Sequence, residues 1–374
     1  MASGWEAVAI ARELANTGHF ANPFQTGPSG PTAIIPPLYP VFLAALIKVF
    51  GDTPTFAVFT TGLTAVALAL HSALLPGVSQ ALFGNRRPGI IAGVFSVFAF
   101  QLMPQWDVMF TCCALLLFVL YADLQTPRTA TLTGVAFGLL LLTNPATVLV
   151  TGPWLLTKKR PDLQGTGLAL AAILLTTLPW MWRNTQTLGT FSIKNNLGFT
   201  LYVSNADCVQ STLDDGPASA CLSERNPNKS ATELALLRQV GETRYDARRR
   251  EDALRWIRTN PEAFLRLTRG RIAAFWFPPR ATPWYTTITI WLVTALSLPG
   301  LVLITWRRGP SALFLLGVTV LYPALYYLVV VDIRYRYPIL WISLLAAGYL
   351  LSQFAPVCYH LSKSLRPTRP RRRD

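Results

Sequence analysis

Nine apolar runs occupy most of this chain, and they restrict its fold more than any other feature of the sequence. Several are shorter than the roughly 20 residues that a perpendicular bilayer span needs, which predicts tilted helices or helices sheltered by their neighbours. Composition agrees, because 52% apolar and 14% charged residues leave too few charges to cover a water-soluble globule. The sequence therefore predicts an α-helical integral membrane protein. The runs lie at about 56–83, 88–104, 108–124, 129–142, 144–157, 165–182, 284–306, 310–330 and 337–355.

The formal charge of +15 is carried largely by short basic clusters between these runs. Binding to nucleic acid would need the charges on one soluble domain, so we expect the lipid bilayer as partner and no nucleic acid. The positive-inside rule places the clusters together on the cytoplasmic side. They are Arg86-Arg87, Arg128, Lys158-Lys159-Arg160, Arg307-Arg308 and Arg369 to Arg373.

The stretch 129–157 fits either one long helix or two short helices broken at Asn144-Pro145. Only two crossings return the cluster at 158–160 to the side of Arg128, so we predict the broken pair. Counting spans backwards from the basic tail then places the motif-bearing loops on the outer side. The predicted organisation is a first outer loop at 1–55, transmembrane helices at 56–182, an outer, mostly helical loop domain at 183–283, transmembrane helices at 284–355 and a basic cytoplasmic tail at 356–374.

The outer segment carries its own helix signals. Ser230-Ala231-Thr232-Glu233 has the pattern of a capping box and predicts a helix that runs to about Arg258. Asn260-Pro261 ends this helix and begins a second one that is basic and aromatic. A position at the lipid interface and simple solvation of one face are equally good interpretations of that second helix.

Cysteine positions indicate one disulfide. Cys208 and Cys221 both fall in the outer segment, where an oxidising compartment permits a disulfide. We predict this bond, with a turn at Asp214-Asp215-Gly216-Pro217 inside the closed loop. Cys112 and Cys113 lie within an apolar run and are predicted to be small apolar residues of the core.

Three short motifs follow one another in the first fifty residues. A lone carboxylate in Trp5-Glu6 precedes a Gly/Pro-rich connector that includes Gly18-His19-Phe20, and Pro36-Pro37-Leu38-Tyr39-Pro40 then begins a helix. This order resembles the first outer loop of C-type glycosyltransferases, the multi-span enzymes that use lipid-phosphate-linked sugars. The resemblance points to members similar to dolichyl-phosphate-mannose-protein mannosyltransferases and to bacterial aminoarabinose transferases.

Later motifs continue this resemblance in the same order along the chain. They are Arg183-Asn184, Lys194-Asn195-Asn196-Leu197-Gly198, Tyr202-x-x-Asn205, Gly241-Glu242, Asn260-Pro261 and Arg334-Tyr335-Arg336-Tyr337-Pro338. The resemblance implies a multi-span bundle with a helical outer loop domain, in a bacterial inner membrane. It also implies transfer of a sugar, with inversion, from a polyprenyl-phosphate donor to a hydroxyl of a lipid, glycan or protein acceptor at the outer face.

Such a transfer needs a carboxylate to take the acceptor proton and cations to hold the leaving phosphate. The resemblance assigns the base to Glu6, although many family members carry an acidic pair where this chain has Ser3-Gly4. Asp107 is the second candidate carboxylate, and a helix N-cap is an equally good interpretation of it. Arg334 and Arg336 are assigned to the donor phosphate, because guanidinium groups bind phosphate bidentately, with snorkelling at the interface as the alternative.

The remaining site candidates have weaker support. Lys194 is a third phosphate contact, with a solvated loop lysine as the alternative. His19, Tyr39 and Asn196 are candidate substrate contacts, and His19 alternatively shapes its turn. The three histidines show no metal-ligand spacing, so we predict no metal site and no certain cofactor, and leave a divalent cation open.

Two other functions stay open at the level of sequence. A transporter or lipid flippase with a polar outer domain is the competing class, because transporters often contain broken helices such as the one at Asn144-Pro145. A catalytically inactive family member is the other, raised by Ser3-Gly4. An outer position for Glu6 also requires a preceding transmembrane helix, so we expect the reading frame to extend upstream and to encode one.

Overall fold

A computed structural model describes residues 6–103, 106–157, 163–211, 221, 223–279 and 283–364, except for the side chains of 308–310 and 355–364. The regular structure of these residues is helical, with one isolated β-bridge between Ala21 and Pro31. Some residues discussed above lie outside the described ranges: Ser3-Gly4, Trp5, Lys158-Lys159-Arg160, Asp214-Asp215-Gly216-Pro217 and Arg369 to Arg373.

The described helices form a bundle and a helical domain beside one end of it. Helices of the first loop are α1 (Glu6–Thr17) and α2 (Leu38–Phe50). Those of the bundle are α3 (Pro54–Phe83), α4 (Arg87–Ala99), α5 (Val108–Tyr121), α6 (Pro127–Thr143), α7 (Val148–Leu156) and α8 (Leu163–Leu188). The helical domain, which we call the loop domain, contains α9 (Leu197–Ser204), α10 (Ala231–Val240), α11 (Glu242–Thr259) and α12 (Pro261–Trp276), and α13 (Trp284–Tyr326) and α14 (Tyr337–Ser364) complete the bundle.

Apolar residues cover much of the outside of the bundle, as expected for a surface that faces lipid. Among the described residues, four helical segments are long and apolar enough to cross a membrane, and shorter apolar helices pack between them. The four are Pro54–Phe83, Leu163–Leu188, Trp284–Arg307 and Tyr337–Phe354. The prediction of an α-helical membrane protein with several short helices is confirmed.

The break predicted at Asn144-Pro145 is present. Helix α6 ends at Thr143, a 3-10 turn occupies Pro145–Thr147, and the Asn144 side chain accepts the Ala146 amide at 3.1 Å. Glycines on α6 let α8 approach closely, and their order shows the direction of packing: Gly134 lies against Ala169, and Gly138 against Thr176. The two helices therefore run parallel, so α7 must return the chain between them.

Helix α13 is a hairpin rather than one straight rod. Thr294 donates to the Trp276 carbonyl at 3.0 Å, while the Trp276 indole donates to the Tyr327 hydroxyl at 2.9 Å. A straight helix would separate residues 294 and 327 by about 50 Å. The arms 284–307 and 311–326 must therefore fold back on each other. Arg307, at the bend, donates to Gln353 of α14 at 2.7 Å, which places both at the bundle end away from Trp276.

Two predictions for the loop domain are corrected and one is confirmed. The helix predicted to run from Ser230 to Arg258 is broken at Gly241, whose φ of 81° is unfavourable for other residues. Ser230 caps α10 through the Glu233 amide, but the Glu233 carboxylate turns inward instead of completing a capping box. The predicted disulfide between Cys208 and Cys221 is present.

The tip of the first loop packs against the loop domain. The Gln25 amide donates to Asn228 at 2.8 Å, and the Arg238 guanidinium donates to the Pro28 carbonyl at 2.5 Å. Asn22, with a positive φ of 56°, closes the tip by accepting the Ser29 amide at 2.9 Å. These contacts attach the segment that follows α1, and with it the helix that carries Glu6.

Candidate active site

Four charged side chains from distant parts of the chain meet at the bundle end that carries the loop domain. Glu6 begins α1, Asp107 precedes α5, Lys194 lies between α8 and α9, and Arg334 lies in the 3-10 turn before α14. Each interacts electrostatically with others of the group: Asp107, Arg334 and Glu6 act on Lys194, and Glu6 also acts on Arg334. We call these four residues the charged cluster.

The charged cluster is accessible to solvent. Lys194 is exposed, although enough protein surrounds its ammonium group to lower its pKa through desolvation, against the raising effect of Asp107. Glu6, Asp107 and Arg334 are half-buried. We call the partly enclosed space in front of these four side chains the cavity. The four charges are therefore reachable by a molecule that enters from this end.

Asp107 interacts electrostatically with both cations of the cluster. The Thr111 hydroxyl donates to its carboxylate at 3.1 Å. Burial raises the pKa of Asp107, and Thr111, Lys194 and Arg334 oppose this shift. Asp107 occupies the N-cap position of α5 but makes no side-chain capping bond, so the interpretation as a helix cap has no hydrogen bond to support it.

Arg334 is fixed by an ion pair and an aromatic ring. Asp332 accepts the Arg334 amide at 3.0 Å, and its carboxylate lies 3.4 Å from Nε of Arg334. The guanidinium lies over the Trp106 ring, 3.5 Å from its centroid, which is the geometry of a cation–π contact. Burial lowers the pKa of Arg334, but Tyr335, Asp332 and Glu6 together outweigh it and raise the pKa. The guanidinium therefore stays charged.

The structure does not bring Arg336 into the charged cluster. Its side chain is 2% exposed and donates to the Trp276 carbonyl at 2.6 Å and to Ser343 Oγ at 3.2 Å. The guanidinium also lies 4.9 Å from the centroid of the Trp276 ring. Alternate residues of the Arg-Tyr-Arg motif thus face different surroundings, one the cavity and the other the contact between α12 and α14.

The candidate substrate contacts fall at three different places. Tyr39 is buried on α2 against the Phe110 ring, close enough to Asp107 for that charge to act on it. Asn196 is half-buried at the start of α9, next but one to Lys194. His19 is exposed in the turn after α1, about 18 Å along that helix from Glu6. The structure therefore places Tyr39 and Asn196, but not His19, near the charged cluster.

Sequence reasoning assigned no role to Glu242, which joins the first loop to the loop domain. Its carboxylate accepts the Ala33 amide at 2.8 Å and the Thr32 hydroxyl. The backbone amide of Asn195, the residue after Lys194, donates to the Ala33 carbonyl at 2.8 Å. The segment that carries Lys194 is thereby attached to the same part of the first loop. The sequence signal for Glu242 was the short motif Gly241-Glu242, and a motif of two residues does not predict which groups will contact it.

Stability should depend on pH through Glu242. Burial raises its pKa to about 7 from an ordinary 4.5, although Thr32, Ala33 and Asn195 donate to it. A raised carboxyl pKa contributes free energy of unfolding that is fully present below about pH 4.5 and is lost as the pH rises through about 7. This contribution is about 3 kcal/mol. Glu242→Gln, which does not ionise, should remove this part of the pH dependence.

Melting temperatures of the detergent-solubilised protein and of Glu242→Gln, measured from about pH 4.5 to 8, check this prediction. The variant should gain stability relative to the wild type as the pH rises across this window. Two curves that stay parallel from acid to neutral pH would contradict it.

The charges of the cluster fit a phosphate group better than a divalent cation. Among the described residues, no three His, Cys, Asp or Glu side chains come together as a metal site would need. The two carboxylates of the cluster are instead accompanied by Lys194 and Arg334. The guanidinium and ammonium groups supply the positive charge that a phosphate dianion or diester requires.

Comparison with solved structures identifies the fold. An oligosaccharyltransferase from Archaeoglobus fulgidus, tethered to an acceptor peptide with an NVT sequon, aligns over 97% of this chain at 14% identity and a TM-score of 0.51. The chain spans about half of that enzyme, 46% of its length. ArnT from Cupriavidus metallidurans, bound to undecaprenyl phosphate, aligns over 98% of this chain and 77% of its own length, at 14% identity and a TM-score of 0.40.

Matches by sequence are absent: no protein-family model fits the chain, and no curated protein is significantly similar to it. The structural likeness to the archaeal enzyme covers nearly the whole chain and includes both the bundle and the loop domain. The predicted fold is thereby confirmed, and the chain is an α-helical membrane protein with the fold of the C-type glycosyltransferases.

Proposed function

We propose that this protein is a membrane glycosyltransferase that moves a sugar from a polyprenyl-phosphate donor to a hydroxyl of an acceptor. One observation carries the proposal: two carboxylates and two cations lie close enough to act on one another electrostatically, at one end of the bundle, with their side chains partly exposed. Sugar transfer from a lipid phosphate needs both kinds of group side by side, one to accept a proton and one to neutralise the leaving phosphate.

Glu6 is the proposed base. The acceptor hydroxyl gives its proton to the Glu6 carboxylate while its oxygen forms a bond to the anomeric carbon of the donor. The bond from that carbon to the phosphate oxygen breaks, and its electron pair leaves with the polyprenyl phosphate. Attack opposite the leaving group inverts the configuration at the anomeric carbon.

Lys194 and Arg334 are the proposed phosphate contacts. Arg334 supplies a planar guanidinium whose orientation Asp332 and Trp106 fix, and Lys194 supplies a flexible ammonium group on the facing loop. Preorganised cations stabilise the charge that develops on the phosphate in the transition state, which lowers the barrier. Asp107, hydrogen-bonded to Thr111, balances these cations and orients Lys194.

The substrate contacts follow from the same geometry. We assign Tyr39, on which the charge of Asp107 acts, and Asn196, next but one to Lys194, to the sugar or acceptor. His19, on the exposed turn beyond α1, would contact only a large acceptor such as a glycan, lipid or protein. We place the protein in a bacterial inner membrane, with a hexosyl or pentosyl residue as the transferred group.

The proposed function is tested by transfer of radiolabelled sugar from polyprenyl-phosphate donors by purified protein in lipid nanodiscs, with extracted envelope material as acceptor. Label should move to the acceptor and release polyprenyl phosphate in equal amount. Movement of donor lipid across vesicles without cleavage of the sugar–phosphate bond would instead indicate a flippase. A folded protein that neither cleaves the sugar–phosphate bond nor binds the donor would contradict the proposal.

The cavity is expected at the outer face. Lys229 of the loop domain is exposed, and so is Arg128 at the opposite end of the bundle. In a Cys358→Ser background, Lys229→Cys should react in intact cells with a membrane-impermeant maleimide, and Arg128→Cys should react only after lysis, because the reagent stays outside. The reverse pattern would put the cavity on the cytoplasmic side.

A further inference from the structure

Arg334 follows a short connection between α13 and α14 whose backbone is hydrogen-bonded to the loop domain at three residues. The Leu328 carbonyl accepts from the Asn205 side chain at 3.1 Å. The Val330 amide donates to Ser204 Oγ at 3.1 Å, and the Val331 amide donates to the Ser211 carbonyl at 3.2 Å. The chain then continues directly into Asp332 and the 3-10 turn that presents Arg334 to the cavity.

Asn205 is the centre of this attachment. It is completely buried, and its side-chain amide also donates to the Leu201 carbonyl of the preceding helix, α9, at 2.9 Å. Its carbonyl oxygen accepts from Arg271 of α12 at 3.2 Å, and Arg271 donates as well to the Ser204 carbonyl. Both polar atoms of the side chain are therefore occupied, which leaves its orientation little freedom.

The surroundings hold the attachment rigid. Arg271 is itself fully buried on α12, so the hydrogen bond that holds the Asn205 side chain lies in the interior of the loop domain. Ala206, Val209, Cys221 and Val330 form an apolar cluster next to it, closed by the disulfide to Cys208. A segment bound through its backbone at Leu328, Val330 and Val331 and covered by an apolar cluster has few ways to move.

We propose that Asn205 is a positioning residue for Arg334. By its hydrogen bond to the Leu328 carbonyl, it fixes the position of the connection between α13 and α14 relative to the cavity, and thereby the position of the Arg334 guanidinium. The proposal deepens the proposed function and rests on it, because the guanidinium is taken to hold the donor phosphate. Small displacements of a positioned group weaken its contacts steeply. Asn205 thus acts on donor binding without touching the donor.

Asn205→Asp separates this role from simple stability. The aspartate keeps an oxygen that accepts from Arg271, so the buried guanidinium keeps this partner. It has no N–H to donate to the Leu328 carbonyl. Amide exchange at Val330 and Val331 should become about tenfold faster, and KM for the donor should rise about tenfold with a smaller change in kcat. The exposed Asn16→Asp is the matched control and should change neither.

Ser204→Ala provides a second, uncharged test, because it removes only the bond to Val330. It should change exchange and donor KM in the same direction, by about threefold. Hydrogen exchange is read without substrate, so an inactive wild type would overturn the proposed function and leave this measurement standing. Faster exchange at 330 and 331 in either folded variant with unchanged donor KM would overturn the role of Asn205, and so would unchanged exchange.

Discussion

Replacing Glu6 by glutamine should lower kcat for sugar transfer by about 100-fold or more, because a general base contributes rate enhancement of at least that order. Glutamine keeps the shape of the side chain and its hydrogen bonding but takes no proton. Donor binding should stay within about twofold of the wild type, since Glu6 acts on the acceptor. Initial rates at saturating donor, with donor binding measured separately in nanodiscs, give the two quantities.

Glu13→Gln is the matched control for this result. Glu13 lies on the same helix, about 10 Å further along its axis, where its carboxylate accepts the Thr17 hydroxyl, and its replacement should leave kcat unchanged. Full activity of Glu6→Gln would remove the base assignment from Glu6. Asp107→Asn would then be the decisive variant, because Asp107 is the other carboxylate of the cluster and burial raises its pKa, which makes it a better proton acceptor.

Arg334→Ala should raise KM for the donor by about 100-fold, because hydrogen bonds between charged groups contribute up to about 3 kcal/mol. The effect should extend to kcat, since the same contact stabilises the leaving phosphate in the transition state. Arg334→Lys keeps the charge but loses the planar fork, so about a tenfold rise is expected. Steady-state kinetics and direct titration with donor lipid measure both effects.

Arg269→Ala is the control, because Arg269 is an exposed arginine of the loop domain that lies on α12. It should leave donor KM within experimental error. A folded Arg334→Ala variant with normal donor affinity would show that the phosphate is held elsewhere. Lys194→Met would then be the next variant to test, because Lys194 is the other cation of the cluster.

Sequence patterns predicted most of the bundle because hydrophobicity is local information. The apolar runs correspond to helices α3 to α8, α13 and α14 within a few residues at most boundaries. The break at Asn144-Pro145 followed from charge placement, which the parallel packing of α6 and α8 supports. The disulfide was predictable because only Cys208 and Cys221 lie in the polar segment.

The rest depended on tertiary contacts that no local pattern contains. Motif order indicated Glu6, Asp107, Lys194 and Arg334, but nothing in the sequence showed that they share a cavity. Arg336 carries the same side chain two residues from Arg334, yet it is buried and donates to Trp276 and Ser343 instead. Similarly, the capping pattern at Ser230 was real, but Glu233 found stronger partners in Tyr245 and Arg249.

The wide spacing of the charged cluster along the chain has a consequence for biosynthesis. Glu6 leaves the ribosome long before Arg334, which emerges only after both arms of α13. A nascent chain that has not yet released Arg334 therefore lacks one of the two cations that the proposed function assigns to the donor phosphate. Under the proposed function, sugar transfer can begin only after both arms of α13 have been synthesised, so an immature chain does not consume donor.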